Sequence, residues 1–249
     1  MNIILLDKSE IENGSYVDLP ATDRRSEHIC NVLHAHSGDS VKIGIIDGLT
    51  GSGIVKYLKQ EEVLQEPNAS QTGLRIEFQT LETPPPQAVP VTLILAMQRP
   101  KTVKKILQSV TTMGVKKIYI IETWKVEKSY WTSPLLKPEN LSEQLLLGLE
   151  QAGDTIMPEI IIKKRFKPFT EDELPEIITD STALIAHPYS DLPCPHKIDK
   201  QAVVAIGPEG GFTEYEVKKM QSIGMSAVNI GERPLRSEFA VTAILAKLF

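Results

Sequence analysis

The stretch AIGPEGGFTEYE, Ala205–Glu216, marks the passage from a strand to a helix. It closes the apolar run QAVVAI, and it brings glycines, a proline and a glutamate together in one short turn. Thr213 is followed three residues later by Glu216, a pattern that predicts a capping box and a helix beginning there. The glycines can adopt positive φ and allow another group to approach the backbone closely. They are Gly207, Gly210 and Gly211.

This turn predicts a ligand site at the end of a strand. A glycine turn before a helix N-terminus suits a phosphate. The turn matches neither GxxxxGK[ST] nor GxGxxG, however, and Glu209 would repel a polyphosphate. The pattern therefore favours a ligand with little negative charge, including a cation. An ordinary tight turn is the structural alternative.

Strand and helix patterns alternate through the second part of the chain. VTLILAM, VKKIYII, EIIIKKR, TALIAH and AVVAI are apolar runs of the length of buried parallel strands. PKTVKKILQSVTTMG, ENLSEQLLLGLEQAG and TEYEVKKMQSIG are typical of helices between them. The alternation predicts an α/β fold with a parallel sheet and helices on both faces. Ligands of such sheets bind beyond the carboxyl ends of the strands.

The proline-rich segment TPPPQAVP, Thr83–Pro90, predicts a domain boundary, because consecutive prolines continue neither a helix nor a central strand. We therefore expect two domains, residues 1–83 and 84–249. The first has short β-rich runs, MNIILLD, DSVKIGIID, GSGIVKYL and LRIEFQTL, separated by turn signals. One helix, around RSEHICNVLHA, interrupts them, so this part is predicted to be a small barrel with an added helix.

Composition limits the function classes. The chain has 249 residues and a formal net charge of −5, and it has no apolar run long enough for a transmembrane helix. The segment MNIILLDKSE has neither the basic region nor the small-residue cleavage site of a signal peptide, so it is predicted to be a first strand. Cys30 and Cys194 form no CxxC motif, so we expect a cytoplasmic protein with reduced thiols and no membrane partner.

The histidines near position 30 lack supporting ligands, so no metal is expected. The segment 84–121 is basic without any acid, which favours phosphate contacts despite the net charge.

Two further loops follow predicted strands. In NIGERPLRSEFAVTA, Asn229–Ala243, a strand is predicted to end at Ile230 and Ser237 to cap the last helix. Arg236 precedes that cap on the side where a substrate would bind. Pairing of Arg236 with Glu232 or Glu238 is the structural alternative. In ALIAHPYSDLPCP, His187 follows a strand, and a structural role is favoured over that of a base.

Taken together these motifs resemble the RsmE family of SPOUT methyltransferases, which are 16S rRNA uridine-N3 methyltransferases. The resemblance extends along nearly the whole chain. IGPEGGFTEYE and NIGERPLRSEFA are similar to the family's two closing motifs, and their combination is more specific than either one. EHICNVLHAHSGDSVKIGIIDG, MGVKKI and EQAG followed by MPEI also match in order.

The resemblance implies a PUA-like N-terminal barrel, a trefoil knot in the C-terminal domain, and a homodimer acting on 16S rRNA or the small ribosomal subunit. It also implies S-adenosylmethionine held by three loops. The residues predicted to bind this cofactor are Ala186, His187, Gly207, Pro208, Glu209, Gly210, Gly211, Ile230, Gly231, Leu235 and Arg236. The predicted RNA-binding residues are Arg24, Arg25, Arg99, Lys101, Lys104 and Lys105.

Methylation at N3 of uridine requires an unpaired base, removal of a proton and attack on the methyl group. Arg236 is predicted to stabilise charge on the uracil oxygens, and Glu238 to orient Arg236 or receive the proton.

Asp154 stands where the family usually has an arginine, and QSVTTMG, His34 and RSEFA also depart from the pattern. Three alternatives therefore stay open: another RNA target, a non-catalytic RNA-binding or ribosome-assembly protein, and a phosphate- or nucleotide-binding enzyme.

Overall fold

The computed structural model describes residues 1–11, 14–58 and 73–249. The chain forms two compact units, Met1–Pro86 with Leu149–Met157, and Gln87–Gly148 with Pro158–Phe249. The sequence prediction of domains at 1–83 and 84–249 did not include the second segment of the first unit. Among the described residues, no helix has the length and apolarity needed to cross a membrane.

The first unit contains a five-stranded mixed sheet. Its strand order is β1-β3-β4-β5-β2, with β1 parallel to β3 and the other pairs antiparallel. The strand β2 was not predicted from the sequence, because YVDL is short and partly polar. Closure of this sheet into a PUA-like barrel stays a prediction. The elements are β1 (Ile4–Leu6), β2 (Tyr16–Leu19), α1 (Arg24–Asn31), β3 (Ser40–Ile45), β4 (Thr50–Tyr57) and β5 (Leu74–Phe78).

The segment Leu149–Met157 belongs to the first unit through hydrogen bonds distant in sequence. The backbone carbonyl of Glu150 accepts a hydrogen bond from the backbone N–H of Asn2. The buried carboxylate of Glu150 accepts two hydrogen bonds from the terminal nitrogens of Arg24, at 2.6 and 2.7 Å. The carbonyl of Thr155 accepts from Asp47. No local pattern in the sequence indicates these long-range partners.

The second unit contains a six-stranded parallel sheet, as the sequence predicts. The strand order is β11-β9-β10-β6-β7-β8, and every neighbouring pair is parallel. Both central strands, β6 and β10, are buried at every residue. Because successive side chains point to opposite faces, both faces of these strands are covered. The strands are β6 (Val91–Ala96), β7 (Lys117–Ile121), β8 (Glu159–Lys163), β9 (Thr182–Ala186), β10 (Ala202–Ile206) and β11 (Ser226–Val228).

The position of a ligand site follows from this strand order. From β6 the chain continues outward through β7 and β8, and it then returns to build β9, β10 and β11 on the other side of β6. The order therefore reverses between β6 and β10. In open parallel sheets, loops at the carboxyl ends of strands beside such a reversal leave a crevice for a ligand.

Helices connect these strands, and the longer ones lie where their apolar periodicity predicts them. Helix α7 contacts β10 and α2, whereas α6 contacts β11. The capping box predicted for α6 is confirmed: Thr213 and Glu216 exchange side-chain and backbone hydrogen bonds. The helices are α2 (Pro100–Thr112), α3 (Pro138–Ala152), α4 (Phe166–Pro168), α5 (Leu174–Ile177), α6 (Glu214–Ser222) and α7 (Ser237–Leu248).

Glu216 also ties α6 to the segment after β7. Its side chain is buried, and Oε1 accepts from the backbone N–H of Trp124 at 2.7 Å. Oε2 accepts from the backbone N–H and the hydroxyl of Thr213, at 2.7 and 2.9 Å. One carboxylate thus satisfies two backbone donors from different parts of the second unit.

We expect Glu216→Ala to lower the free energy of unfolding by about 2 kcal/mol, because it leaves two backbone donors without their acceptor. For a unit of this size the melting temperature should fall by about 4–8 °C. Differential scanning calorimetry measures both quantities. Glu214→Ala is the control, since Glu214 lies on the same helix with its side chain 81% exposed. Equal losses in the two variants would contradict this role of Glu216.

Candidate active site

A cavity of about 560 Å³ opens at the carboxyl ends of β6, β9, β10 and β11, beside the reversal of strand order. Its volume lies within the range of small-molecule sites. Four loops line it, one after each of these strands. The lining residues include Arg99 and Thr102 after β6, Ala186 at the end of β9 with His187–Tyr189 after it, Ile206 at the end of β10 with Gly207–Gly211 after it, and Ile230, Gly231 and Arg233–Glu238 after β11.

The residues predicted to bind the cofactor all line this one cavity, although they come from three separate loops. Glu238, predicted from the last loop, lines it as well. The structure therefore brings together the residues that the motifs single out, while the role of each stays a prediction. The set is Ala186, His187, Gly207, Pro208, Glu209, Gly210, Gly211, Ile230, Gly231, Leu235 and Arg236.

The glycine turn after β10 is closely packed, and this packing explains part of its composition. A Cβ added at Gly207 would lie 3.0 Å from the backbone nitrogen of Phe212. Gly211 has φ of +67°, a conformation that disfavours a side chain. The carbonyl of Gly207 accepts from Nε2 of Gln98, which is fully buried. Close packing and the hydrogen bond from Gln98 thus stabilise the shape of the turn.

The carboxylate of Glu209 forms a hydrogen bond with the backbone at the start of α2. Its Oε1 accepts from the backbone N–H of Arg99 at 3.0 Å. Arg99 precedes the first residue of α2 and makes no side-chain cap of its own. A carboxylate at a helix N-terminus satisfies an otherwise unpaired donor and interacts favourably with the helix dipole. Glu209 therefore joins the glycine turn to the start of α2.

Two further contacts hold the cavity rim. Nζ of Lys125 donates to the carbonyl of Gly210 at 2.8 Å. Nε of Arg99 donates to the hydroxyl of Tyr130 at 3.3 Å, and this hydrogen bond raises the pKa of Arg99 above its ordinary value. Arg99 is exposed and stays cationic. The segment after β7 thus contacts both the glycine turn and the start of α2.

The loop after β9 is held by the last strand. The backbone N–H of His187 donates to the carbonyl of Val228 at 2.9 Å, and its ring lies edge-on to Tyr189 with 6.0 Å between centroids. The sequence prediction that the last strand continues to Ile230 is wrong. β11 ends at Val228, and Asn229 instead forms an isolated bridge with Pro193.

The loop after β11 presents an unpaired cation. Arg236 is exposed, and within the described part of the chain it has no ion pair with Glu232 or Glu238. The prediction that Ser237 caps α7 is wrong: Arg236 occupies the cap position and Ser237 is the first helical residue. The hydroxyl of Ser237 points to the carbonyl of Gly207, at 3.5 Å.

Several lining residues were not predicted. Arg233, Pro188 and Tyr189 lie inside loops that the sequence analysis had identified, so the loop boundaries could have indicated them. Thr102 had no sequence signal, because it enters the site only through the position of α2. Gln98 likewise follows an apolar strand, with no indication that it donates to the glycine turn.

The predicted RNA-binding residues fall into two groups. Arg25 is only 12% exposed and is bound to Glu10 and Asp23, and its hydrogen bond to Glu10 holds the pKa of that carboxyl below its ordinary value. Together with the Arg24–Glu150 ion pair, these contacts provide carboxylate partners for both arginines within the first unit. They give no support to RNA binding by Arg24 or Arg25. The other group is Arg99, Lys101, Lys104 and Lys105, all exposed at the start of α2.

Comparison with known proteins identifies the family. The family model described as an RNA methyltransferase domain matches residues 85–248. The chain is 32% identical to ribosomal RNA small subunit methyltransferase E of Treponema pallidum, over 99% of this chain and 90% of that protein. It is 27% identical to ribosomal RNA small subunit methyltransferase E 1 of Borreliella burgdorferi, over 98% and 95% of the two chains.

Solved structures show the same fold at lower identity. A ribosomal RNA small subunit methyltransferase E from Neisseria gonorrhoeae, bound to S-adenosyl methionine, superposes with a TM-score of 0.66 and 20% identity, covering 98% of this chain and 96% of that one. A protein from Legionella pneumophila in complex with the bound cofactor SAM gives 0.68 and 19%, covering 99% and 96%. The matched segments of the sequence comparison include every loop of the cavity. The chain belongs to the ribosomal RNA small subunit methyltransferase E family and carries its RNA methyltransferase domain.

Proposed function

We propose that this protein transfers a methyl group from S-adenosylmethionine to N3 of a uridine in 16S rRNA. One observation carries the proposal: the motif residues of three separate loops line a single cavity at the carboxyl ends of the strands. The names of the relatives agree with this reaction class. Mass spectrometry of rRNA nucleosides from a strain lacking the gene, with and without complementation, tests it directly.

The residues present fit S-adenosylmethionine. A Cβ at Gly231 would meet nothing within 4 Å, so this residue faces open space where a ligand group can approach the backbone. Ala186, Ile206 and Leu235 supply apolar walls, and the glycine turn supplies exposed backbone. When bound, this cofactor supplies an electrophilic methyl group on a sulfonium sulfur.

The chain's own residues would then act on the base. The target nucleotide must leave its pairing partner to expose N3. We propose that Arg236, unpaired and at the cavity wall, stabilises the charge on the uracil oxygens after N3 loses its proton. Glu238 is half-buried in the same wall and is proposed to receive that proton, directly or through water. Fixing N3 against the methyl group is expected to supply most of the acceleration.

We also propose that the finer features of the family apply: a trefoil knot, a PUA-like barrel, a homodimer and a cytoplasmic location. The homodimer has support in the exposed apolar side chains on and beside α7. Association with a second copy of the chain would remove such apolar side chains from water. They are Leu235, Phe239 and Phe249, which are 46%, 59% and 40% exposed.

Arg236→Ala should lower the single-turnover rate by about two orders of magnitude or more even at saturating S-adenosylmethionine, because it removes charge stabilisation needed only in the transition state. Calorimetry with S-adenosylmethionine establishes saturation and measures the part of Arg236 in cofactor binding, and single-turnover methylation of small ribosomal subunits measures the rate. Glu232→Gln is the control, since Glu232 is an exposed residue of the same loop outside the cavity lining. An unchanged rate in Arg236→Ala would remove Arg236 from this role.

Glu209→Ala should weaken cofactor affinity by roughly 5- to 30-fold, the loss expected when a helix N-terminus and the turn attached to it lose their common acceptor. Glu209→Gln retains a carbonyl oxygen for the N–H of Arg99 and should stay within about threefold of the unmodified protein. Calorimetry with S-adenosylmethionine measures the affinity of both variants and distinguishes a hydrogen-bonding role of the carboxylate from a direct effect of its charge on the ligand. If Glu209→Gln weakens binding as much as Glu209→Ala, the charge of Glu209 acts on the ligand itself.

Replacing Lys101, Lys104 and Lys105 by alanine should weaken RNA binding and reduce its salt dependence. For each phosphate that a lysine no longer neutralises, the slope of log affinity against log salt should fall by about 0.7–0.9. Filter binding of rRNA at salt concentrations between roughly 50 and 200 mM measures this slope. Lys218→Ala on α6 is the control, since Lys218 is exposed and bound to Glu214. An unchanged slope would show that the three lysines do not contact phosphate.

A further inference from the structure

The proposed reaction leaves the segment after β7 without a function. This segment, Thr123–Trp131, reads TWKVEKSYW and contains both tryptophans of the chain. The side chain of Trp124 is 86% exposed, although burial of an aromatic side chain of this size is strongly favourable. Tryptophan is enriched at contact surfaces, because it combines a large apolar ring with a polar N–H.

The backbone that carries Trp124 is fixed. Its N–H donates to the buried carboxylate of Glu216 at 2.7 Å, and the N–H of Val126 closes a turn on the carbonyl of Thr123 at 3.2 Å. Lys125 donates to Gly210 at 2.8 Å, and a Cβ at Gly210 would lie 3.1 Å from Cδ of Lys125. The indole is therefore presented to solvent from an ordered turn.

This segment borders the candidate active site at two points. Gly210, which accepts from Lys125, and Arg99, which donates to Tyr130, both line the cavity. Trp124 is not among the residues that line the cavity, so a group stacked on its indole would lie outside the cavity. Its neighbour Lys125 contacts the glycine turn, so Trp124 belongs to a segment at the cavity rim, where an RNA with its target base in the cavity can reach it.

The charges around Trp124 suit a phosphate backbone. Lys125, Lys128, Arg99 and Lys101 are exposed cations on the segment and on the adjoining start of α2. The exposed acid within the segment is Glu127, which accepts a hydrogen bond from Ser129 at 3.4 Å. Aromatic side chains between cations are the usual platform for unpaired nucleotides, because each base can stack while its phosphate contacts a cation.

We propose that Trp124 stacks on the base of an unpaired nucleotide next to the target uridine, while Lys125 and Arg99 contact the flanking phosphates. The inference rests on the proposed function, because it requires an RNA substrate with its target base in the cavity. Stacking would hold the neighbouring nucleotide outside and leave the target free to enter. Trp124 is thus an RNA-positioning residue that has no contact with the methyl donor.

The test uses the full chain carrying Trp131→Phe, which leaves Trp124 as the one tryptophan. Trp131 is suited to replacement by Phe because its buried Nε1 has no hydrogen-bond partner among the described residues, and because Phe keeps an aromatic ring beneath Lys164, which lies 5.9 Å from the ring centroid. Addition of a uridine-containing single-stranded RNA oligonucleotide should quench the Trp124 emission. S-adenosylmethionine alone should leave the emission unchanged.

Activity variants provide the second measurement. Trp124→Ala should raise KM for small ribosomal subunits or weaken RNA binding by about 5- to 100-fold, and Trp124→Phe should recover most of the loss. The affinity for S-adenosylmethionine should be unchanged in both variants. Trp131→Phe serves as the matched control for replacing a tryptophan in the same segment.

Three results would overturn the inference. They are an unquenched emission with RNA, an unchanged KM together with an unchanged RNA affinity in Trp124→Ala, and a shift of Trp124→Ala from dimer to monomer with RNA affinity retained. The last result would assign the indole to a contact with a second copy of the chain. Failure of the proposed function is distinguishable, because the unmodified protein would then transfer no methyl group while the fluorescence test still reports on stacking.

Discussion

The parallel pairing of β6 with β10 is the contact on which the candidate site depends. It sets Val91–Leu95 against Ala202–Ile206, segments separated by about a hundred residues, in a register that ends both strands at the same edge. The pairing is stabilised by burial, because each residue of both strands is removed from solvent. The start of α2 and the glycine turn meet only because these strands end side by side.

Carboxylates then determine the shape of that edge by accepting from backbone N–H groups. Glu209 accepts from Arg99, and Glu216 accepts from Trp124 and Thr213. Glu209 joins the loop after β10 to the start of α2, which follows the neighbouring strand β6, and Glu216 joins α6 to the segment after β7. Since a buried donor without an acceptor is costly, these hydrogen bonds favour one arrangement of the rim over others. The cationic side chains of Arg99 and Arg236 remain available for a substrate.

The cationic side chains predicted to contact RNA or substrate differ in whether a carboxylate of the protein is bound to them. Arg24 and Arg25 bind carboxylates within the first unit and contribute to its fold. Arg236 and the lysines at the start of α2 have no such partners among the described residues. The distinction explains how a chain with a net charge of −5 can present a cationic surface beside its cavity. Distant acids are screened over about 8–10 Å, so the local charges determine which ligand is attracted.

The parallel α/β fold, the capping box of α6, the family and the loops that line the cavity could all be predicted from the amino-acid sequence. These features depend on local periodicity, turn chemistry and motif spacing, which neighbouring residues encode. Three contacts were visible only once the chain was folded: Glu209 binds the start of α2, Glu150 binds Arg24, and Trp124 is exposed on a turn that Glu216 holds. Each of these facts joins residues far apart in the chain, and a side chain's partner across such a distance is set by packing, which no local pattern specifies.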